Sequence, residues 1–341
     1  MKKLFFSIVA AMMCATATFA QSSLLATLSH EGEITTYYGA TALREAHAAA
    51  ADGDIITLSS GTFNSVEITK GITLRGAGMD VDATTQSEPT ILTGEFNVSI
   101  PEETTTPLTI EGIYSDYRMY VTLPLRNATF LKSRFNKIDS KGSTTPFINM
   151  TLIHCKVSNT LYCAANSTIN CINCIIWAPY CIDAYKSVFE MTNCVLCKAD
   201  FSYNVYSSTF KNCIFIQTDD NWHAFNYRNG VNTLYNCVGV QNYQDKSMFS
   251  QIQNNTNHHE TYANVFKTCR DGKWSDSETF ELTDDCIANY KGTDGTQVGI
   301  YGGSMPFSIT PSNPQITKCN VASKSTADGK LSVDITVQGA E

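Results

Sequence analysis

An Asn-Cys pair returns at a nearly fixed interval along the middle of the chain, at Asn173-Cys174, Asn193-Cys194, Asn212-Cys213 and Asn236-Cys237. His154-Cys155 fills the same slot one step upstream, and Lys132-Ser133 one step before that. Successive slots lie 22, 19, 20, 19 and 24 residues apart. Self-similarity at this period is the mark of a stacked repeat. Three residues before each slot stand Phe130, Leu152, Cys171, Met191, Phe210 and Leu234, and two residues after it Phe135, Val157, Ile176, Leu196, Phe215 and, as an exception, Gly239. Apolar positions on alternate residues either side of a turn describe two short strands. Asparagine suits the corner because it tolerates the left-handed backbone. A unit of strand, corner, strand and loop is too small to bury its own apolar face, whereas units stacked about 4.8 Å apart cover one another. The expected fold is therefore all-β, a parallel β-helix solenoid of roughly a dozen rungs.

Other architectures fit less well. Hydrophobic residues make up 43% of the 341 positions against 16% charged, which excludes a disordered chain. Ala, Glu, Lys, Leu and Arg do not dominate, so a helix bundle is disfavoured. A leucine-rich repeat would need regular leucine and asparagine spacing, and a β-sandwich would not explain fixed side-chain slots. A formal charge of −8 argues against a nucleic-acid partner.

Residues 1–20 read as a signal peptide: Lys2 and Lys3, an apolar run over 4–13, then Thr18 and Ala20 before a cleavage site. That run is shorter than a membrane span, and no other segment approaches one. The expected location is secreted or within the cell envelope. Residues 21–300 are assigned to the β-helix and 301–341 to a C-terminal strand segment.

Residues 41–76 carry Ala-rich helical spacing, a Gly53-Asp54 turn, Ile55-Ile56-Thr57-Leu58, Gly61-Thr62-Phe63 and Ile72-Thr73-Leu74-Arg75-Gly76. This stretch resembles the N-terminal entry of the right-handed β-helix proteins of the pectin lyase-like superfamily. The resemblance implies a capping helix around 41–53, with Leu43, Ala46 and Ala50 facing the stack. The tail, Val298 to Phe307 and then Gly329 to Val337, resembles the ends of secreted Bacteroidetes members. Gln315 to Val321 and Lys330 to Val337 are expected to pair around Asp328-Gly329 and to cover the C-terminal end.

Twelve cysteines remain after cleavage. Cys155, Cys174, Cys194, Cys213 and Cys237 are expected to form an interior ladder of reduced thiols, since adjacent rungs are slightly too far apart for easy bridging. Cys269 and Cys286 are the best disulfide candidates. A metal site at Cys171 and Cys174, or at His258-His259-Glu260, is disfavoured, and no cofactor is expected unless the protein is a lyase using Ca²⁺.

Lyases of this superfamily use acidic side chains, Ca²⁺ and a basic residue, and its polygalacturonases use several aspartates. The catalytic candidates here are Asp200, Asp219, Asp220 and Arg228, but the arginine-rich and Gly-His-Gly signatures are missing. The aromatics Trp177, Tyr180, Tyr185, Tyr203, Tyr206, Trp222 and Tyr227 are candidates for stacking on sugar rings. The expected function is a non-catalytic surface for a polysaccharide, a cell-surface glycan or another partner. The alternative is a divergent polysaccharide lyase or glycoside hydrolase.

Overall fold

The computed structural model describes residues 24–81, 87–140, 145–177, 179–180, 186–198, 207–216, 232–241, 257–273, 275–312, 315–321, 324–325 and 328–338. Every corner slot adopts the conformation its sequence favours. Lys132, His154, Asn173, Asn193, Asn212 and Asn236 have φ between 44° and 56°. The columns on either side stack in register. Phe130, Leu152, Cys171, Met191, Phe210 and Leu234 are partners on successive strands. Beyond the corner, Phe135, Val157, Ile176, Leu196, Phe215 and Gly239 do the same. The result is a parallel β-solenoid whose inner columns form one continuous apolar core.

Two long sheets and one two-stranded parallel pair, Leu125–Arg126 with Phe147–Ile148, carry the solenoid among the described residues. The first has eleven strands, of which the first two, Leu25–His30 and Glu33–Tyr38, run antiparallel. Among the described residues nine parallel strands follow, fewer than the dozen rungs expected, and some rungs are long: the step from Leu74 to its partner Ile110 takes 36 residues. The second sheet has twelve strands and ends at His258–Glu260. Residues after that strand leave the stack and fold against its outside.

The N-terminal end is closed by the helix Ala42–Ala49, with Leu43, Ala46 and Ala50 buried as expected. Lys70 Nζ reaches the carbonyls of His47, Ala48 and Ala50 at 2.7, 3.1 and 2.6 Å, supplying donors that the helix end lacks. The preceding hairpin extends the sheet past the first parallel strand. Its turn places Glu31 and Gly32 at φ 49° and 87°, the pattern that matches strand twist.

All five expected ladder thiols are buried and free. Each Sγ approaches two backbone carbonyls at the corner. Cys174 contacts the Leu152 and Ile172 oxygens at 3.4 and 3.3 Å, and Cys155, Cys194, Cys213 and Cys237 repeat the arrangement. Ser133 holds the same slot and donates to the Leu131 carbonyl at 2.8 Å, so the slot selects a small side chain with a hydrogen to give. Burial pushes the thiols of Cys155, Cys171, Cys194 and Cys213 well above their usual range. Cys269 and Cys286, the disulfide candidates, are separate free thiols. Cys269 lies near Cys197 and Glu278, while Cys286 lies near Glu260, on the helix Asp284–Asn289 capped by Thr283.

A second apolar core lies outside the solenoid. In the later rungs the outward residues of the second sheet are Ile175, Val195, Ile214 and Val238, then Cys197, Ile216 and Val240. A layer built from Tyr262, Val265, Phe266, Phe280, Leu282 and Ile300 covers them. These strands are buried on both faces, which explains why they lack apolar–polar alternation after the corner.

The chain then turns back as a strap along the corner ladder. Asn236 Nδ2 donates to the Lys291 carbonyl at 2.8 Å, and Asn212 Oδ1 accepts from the Thr293 amide at 2.8 Å. Asn173 Nδ2 donates to the carbonyls of Ile300 and Gly302 at 2.7 and 2.8 Å. His154 Nε2 donates to the Met305 carbonyl at 3.0 Å, and the Ser312 amide donates to Glu111 Oε1 at 2.8 Å. Gly303 is required where the strap crosses Asn193: it has φ 82°, and a Cβ there would lie 2.4 Å from Asn193 Nδ2. Gln315–Val321 and Val333–Gln338 form the expected antiparallel hairpin, with Gly329 at φ 79° in the turn. The strap delivers the chain to Glu111, in the N-terminal half, only three residues before the hairpin begins.

His154 makes the strap sensitive to pH. Burial lowers its pKa below the ordinary 6.5, against a smaller opposing effect from the Met305 carbonyl; Cys174 raises it and Lys132 lowers it. Its Nδ1 is buried without a partner. The unfolded chain binds this proton more readily than the folded one, so the stabilisation is present above 6.5 and is lost as pH falls towards the lowered value. His154→Asn places in this slot the residue the later corners use. Thermal melts at pH 7.5 and 5 should show a smaller acid-induced drop in the variant than in the parent. Equal drops would remove His154 from the explanation.

Candidate ligand-binding face

The outward face of the second sheet is open in its middle rungs, where the strands are longest: Ile113–Val121, Arg134–Ser140 and Lys156–Tyr162. Alternation aims Tyr114, Arg118 and Tyr120 outward while Ile113, Met119 and Val121 are buried. The register then builds three columns. One is Tyr114, Arg134 and Lys156, a second is Arg118, Lys137 and Thr160, and a third is Tyr120, Asp139 and Tyr162, continued in backbone register by Tyr180.

Rings and cations alternate across this face. The Arg134 guanidinium lies 4.4 Å from the Tyr114 ring centre, Arg118 4.6 Å from Tyr120, and Lys137 Nζ 5.7 Å from Tyr162. Each of these cations also has a carboxylate. Arg118 meets Glu95 at 2.9 Å and Asp139 at 3.3 Å, and Lys137 meets Asp139 at 2.9 Å. Arg134 bridges Asp80 at 3.1 Å and Asp276 at 2.6 Å, and Lys156 meets Asp80 at 2.8 Å. Burial opposes the charge on Arg134, but its hydrogen bond to Asp276 and the nearby Tyr114 and Asp80 outweigh burial and raise its pKa. Arg118 is raised in the same way by Glu95 and Asp139. The face is thus a rigid mosaic of stacked rings and paired charges. It can offer flat apolar area and hydrogen-bonding groups at low entropic cost.

Comparison with protein-family models, curated proteins and solved structures returns no match.

Of the residues singled out from sequence, Trp177 and Tyr180 are described. Asp200, Asp219, Asp220 and Arg228 lie outside the described residues, as do Tyr185, Tyr203, Tyr206, Trp222 and Tyr227. Trp177 is described and half-buried, packed against the outer covering layer, so its ring is partly withdrawn from solvent. Tyr180 continues the third column by its backbone pairing with Tyr162. His258 stacks on Tyr290, with ring centres 4.6 Å apart, while Glu260 accepts hydrogen bonds from Tyr290 and Asn264. Among the described residues no group of three or more His, Cys, Asp or Glu side chains is placed to hold a metal, and no helix is long and apolar enough to cross a membrane.

Tyr114, Arg118, Tyr120, Lys137 and Tyr162 carry the open face and were not among the candidates. Their signal is in the sequence: three tyrosines recur at 114, 117 and 120, within a strand longer than any in the Asn-Cys rungs.

Proposed function

We propose that this protein is an exported β-helix protein of the pectin lyase-like kind that binds a glycan on the outer face of its second sheet without transforming it. The observation that carries this reading is the three-column mosaic. Outward Tyr120 and Tyr162 stand two rungs apart in one column, with Asp139 between them, beside cations already paired with carboxylates. Flat rings two rungs apart offer apolar area to separate sugars along one chain, and the flanking groups match their hydroxyls. The carboxylates are engaged in ion pairs, which fits adhesion better than acid–base chemistry. The signal-like segment of residues 1–20 supports export.

The test is affinity electrophoresis of the purified chain through gels holding individual plant and host polysaccharides. At least one polysaccharide should retard the protein. Tyr120→Ala and Tyr162→Ala should each weaken retardation about tenfold, equivalent to about 1.4 kcal/mol. Unaltered retardation would remove the face from binding. Release of reducing ends or unsaturated uronates, abolished by alanine at Asp200, Asp219, Asp220 or Arg228, would replace this reading with a lyase or hydrolase.

A further inference from the structure

Beside the mosaic, where the solenoid, its outer covering layer and the strap meet, lies a cleft of about 370 Å³. Its floor is Lys156 and Ile175, paired on adjacent rungs. One wall runs from Asp276 to Thr279, and the other is formed by Tyr301 and residues 307–310 of the strap. The volume lies near the lower end of small-molecule sites, which fits one ring better than a chain.

The walls are tied together before any ligand arrives. Tyr301 donates its hydroxyl to the Thr279 carbonyl at 3.0 Å, joining strap to covering layer. The Phe307 ring is held by Tyr301 edge-on at 6.5 Å, by His154 at 5.9 Å and by Lys156 Nζ at 5.9 Å. An aromatic platform is therefore fixed beside a border of serine and threonine side chains at 277, 279, 308 and 310.

The charges narrow the ligand class. The cleft's charged residues are one cation, Lys156, and two carboxylates, Asp276 and Glu278. Lys156 is engaged by Asp80 at 2.8 Å and Asp276 by Arg134 at 2.6 Å. Glu278 Oε1 already accepts from the Thr268 hydroxyl and the Phe280 amide. An anionic ring entering here meets more negative than positive charge, whereas hydroxyl groups find carboxylate acceptors. Resting on the glycan-binding reading above, we infer that this cleft is a specificity pocket for a single uncharged sugar residue of the bound glycan, packed on Phe307 with its hydroxyls toward Asp276 and Glu278.

Calorimetric titration with neutral gluco-, manno-, galacto- and xylo-oligosaccharides, alongside oligogalacturonate, tests the pocket. One neutral series should bind at least tenfold tighter than oligogalacturonate. Ser277→Trp and Thr310→Trp, which fill the cleft from opposite walls, should each reduce that affinity at least tenfold while leaving the melting temperature unchanged. In the parent protein the methyl resonances of Ile175 and Ile309 should shift on titration, a readout that needs no variant. Still methyl signals, undiminished affinity in the filled variants, or a preference for oligogalacturonate would overturn the pocket while leaving glycan binding intact. Failure to bind any saccharide would overturn both.

Discussion

Asn173→Ala should destabilise the protein by about 3–4 kcal/mol. The side chain is 1% exposed and gives both amide hydrogens to strap carbonyls, at Ile300 and Gly302. Each such bond contributes about 1 kcal/mol net, and its removal strands a buried carbonyl. Alanine must also hold φ near 49°, where a side chain without Asn's local hydrogen bonding costs about 1–2 kcal/mol. Asn173→Gly separates the two effects. It keeps the left-handed backbone and loses only the amide, so it should cost about 2 kcal/mol. Urea unfolding of the three proteins should rank them parent, glycine, alanine. Identical midpoints for glycine and parent would mean that the amide does not hold the strap, and identical midpoints for glycine and alanine would mean that the corner carries no strain.

The other large effect is expected at Phe210→Ala, at about 3–5 kcal/mol. Phe210 is fully buried between Met191 and Leu234 in the inner column and meets Phe215 with ring centres 5.5 Å apart. In a simple solenoid the damage would stay with the adjoining rungs. Here the neighbouring corner, Asn212, accepts from the Thr293 amide through its side chain and from the Gly299 amide through its carbonyl. Hydrogen exchange should therefore show the amides of Thr293 and Gly299 losing protection together with 209–216. Loss confined to 209–216 would show that strap and rungs open independently.

The inner solenoid was legible because two simple rules act together there. Alternation places one residue in two inside, and asparagine marks the left-handed corner, so Phe130, Leu152, Cys171, Met191, Phe210 and Leu234 could be stacked by eye. The outer core was less visible because Ile175, Val195, Ile214 and Val238 were consistent with ordinary strand residues. The informative contrast is with Arg134 and Lys156, which hold the equivalent position but are covered by the carboxylates of Asp80 and Asp276 rather than by an apolar layer. The strap had no pattern to find. Asn173, Asn236 and His154 bind its backbone carbonyls, which every residue possesses, so the side chains of 291–312 carry little record of where they lie. The corner asparagines were explained by backbone conformation alone, and their second duty as donors and acceptors was hidden by the first. The outer face carried by Tyr114, Tyr120 and Tyr162 stands out less in the sequence because aromatic residues are denser between 177 and 228.

The strap also sets the order in which the molecule can be completed. A solenoid ordinarily folds through contacts between near neighbours in sequence, which favours speed. Here Asn173 waits for partners 127 and 129 residues further on, and Glu111 for one 201 residues away. Rungs can stack as they are synthesised, but their corner amides stay in water until the strap has been made. The last step of folding is thus written at the far end of the chain, and a ribosome halted before it would release a stack whose corners still lack the partners that close them.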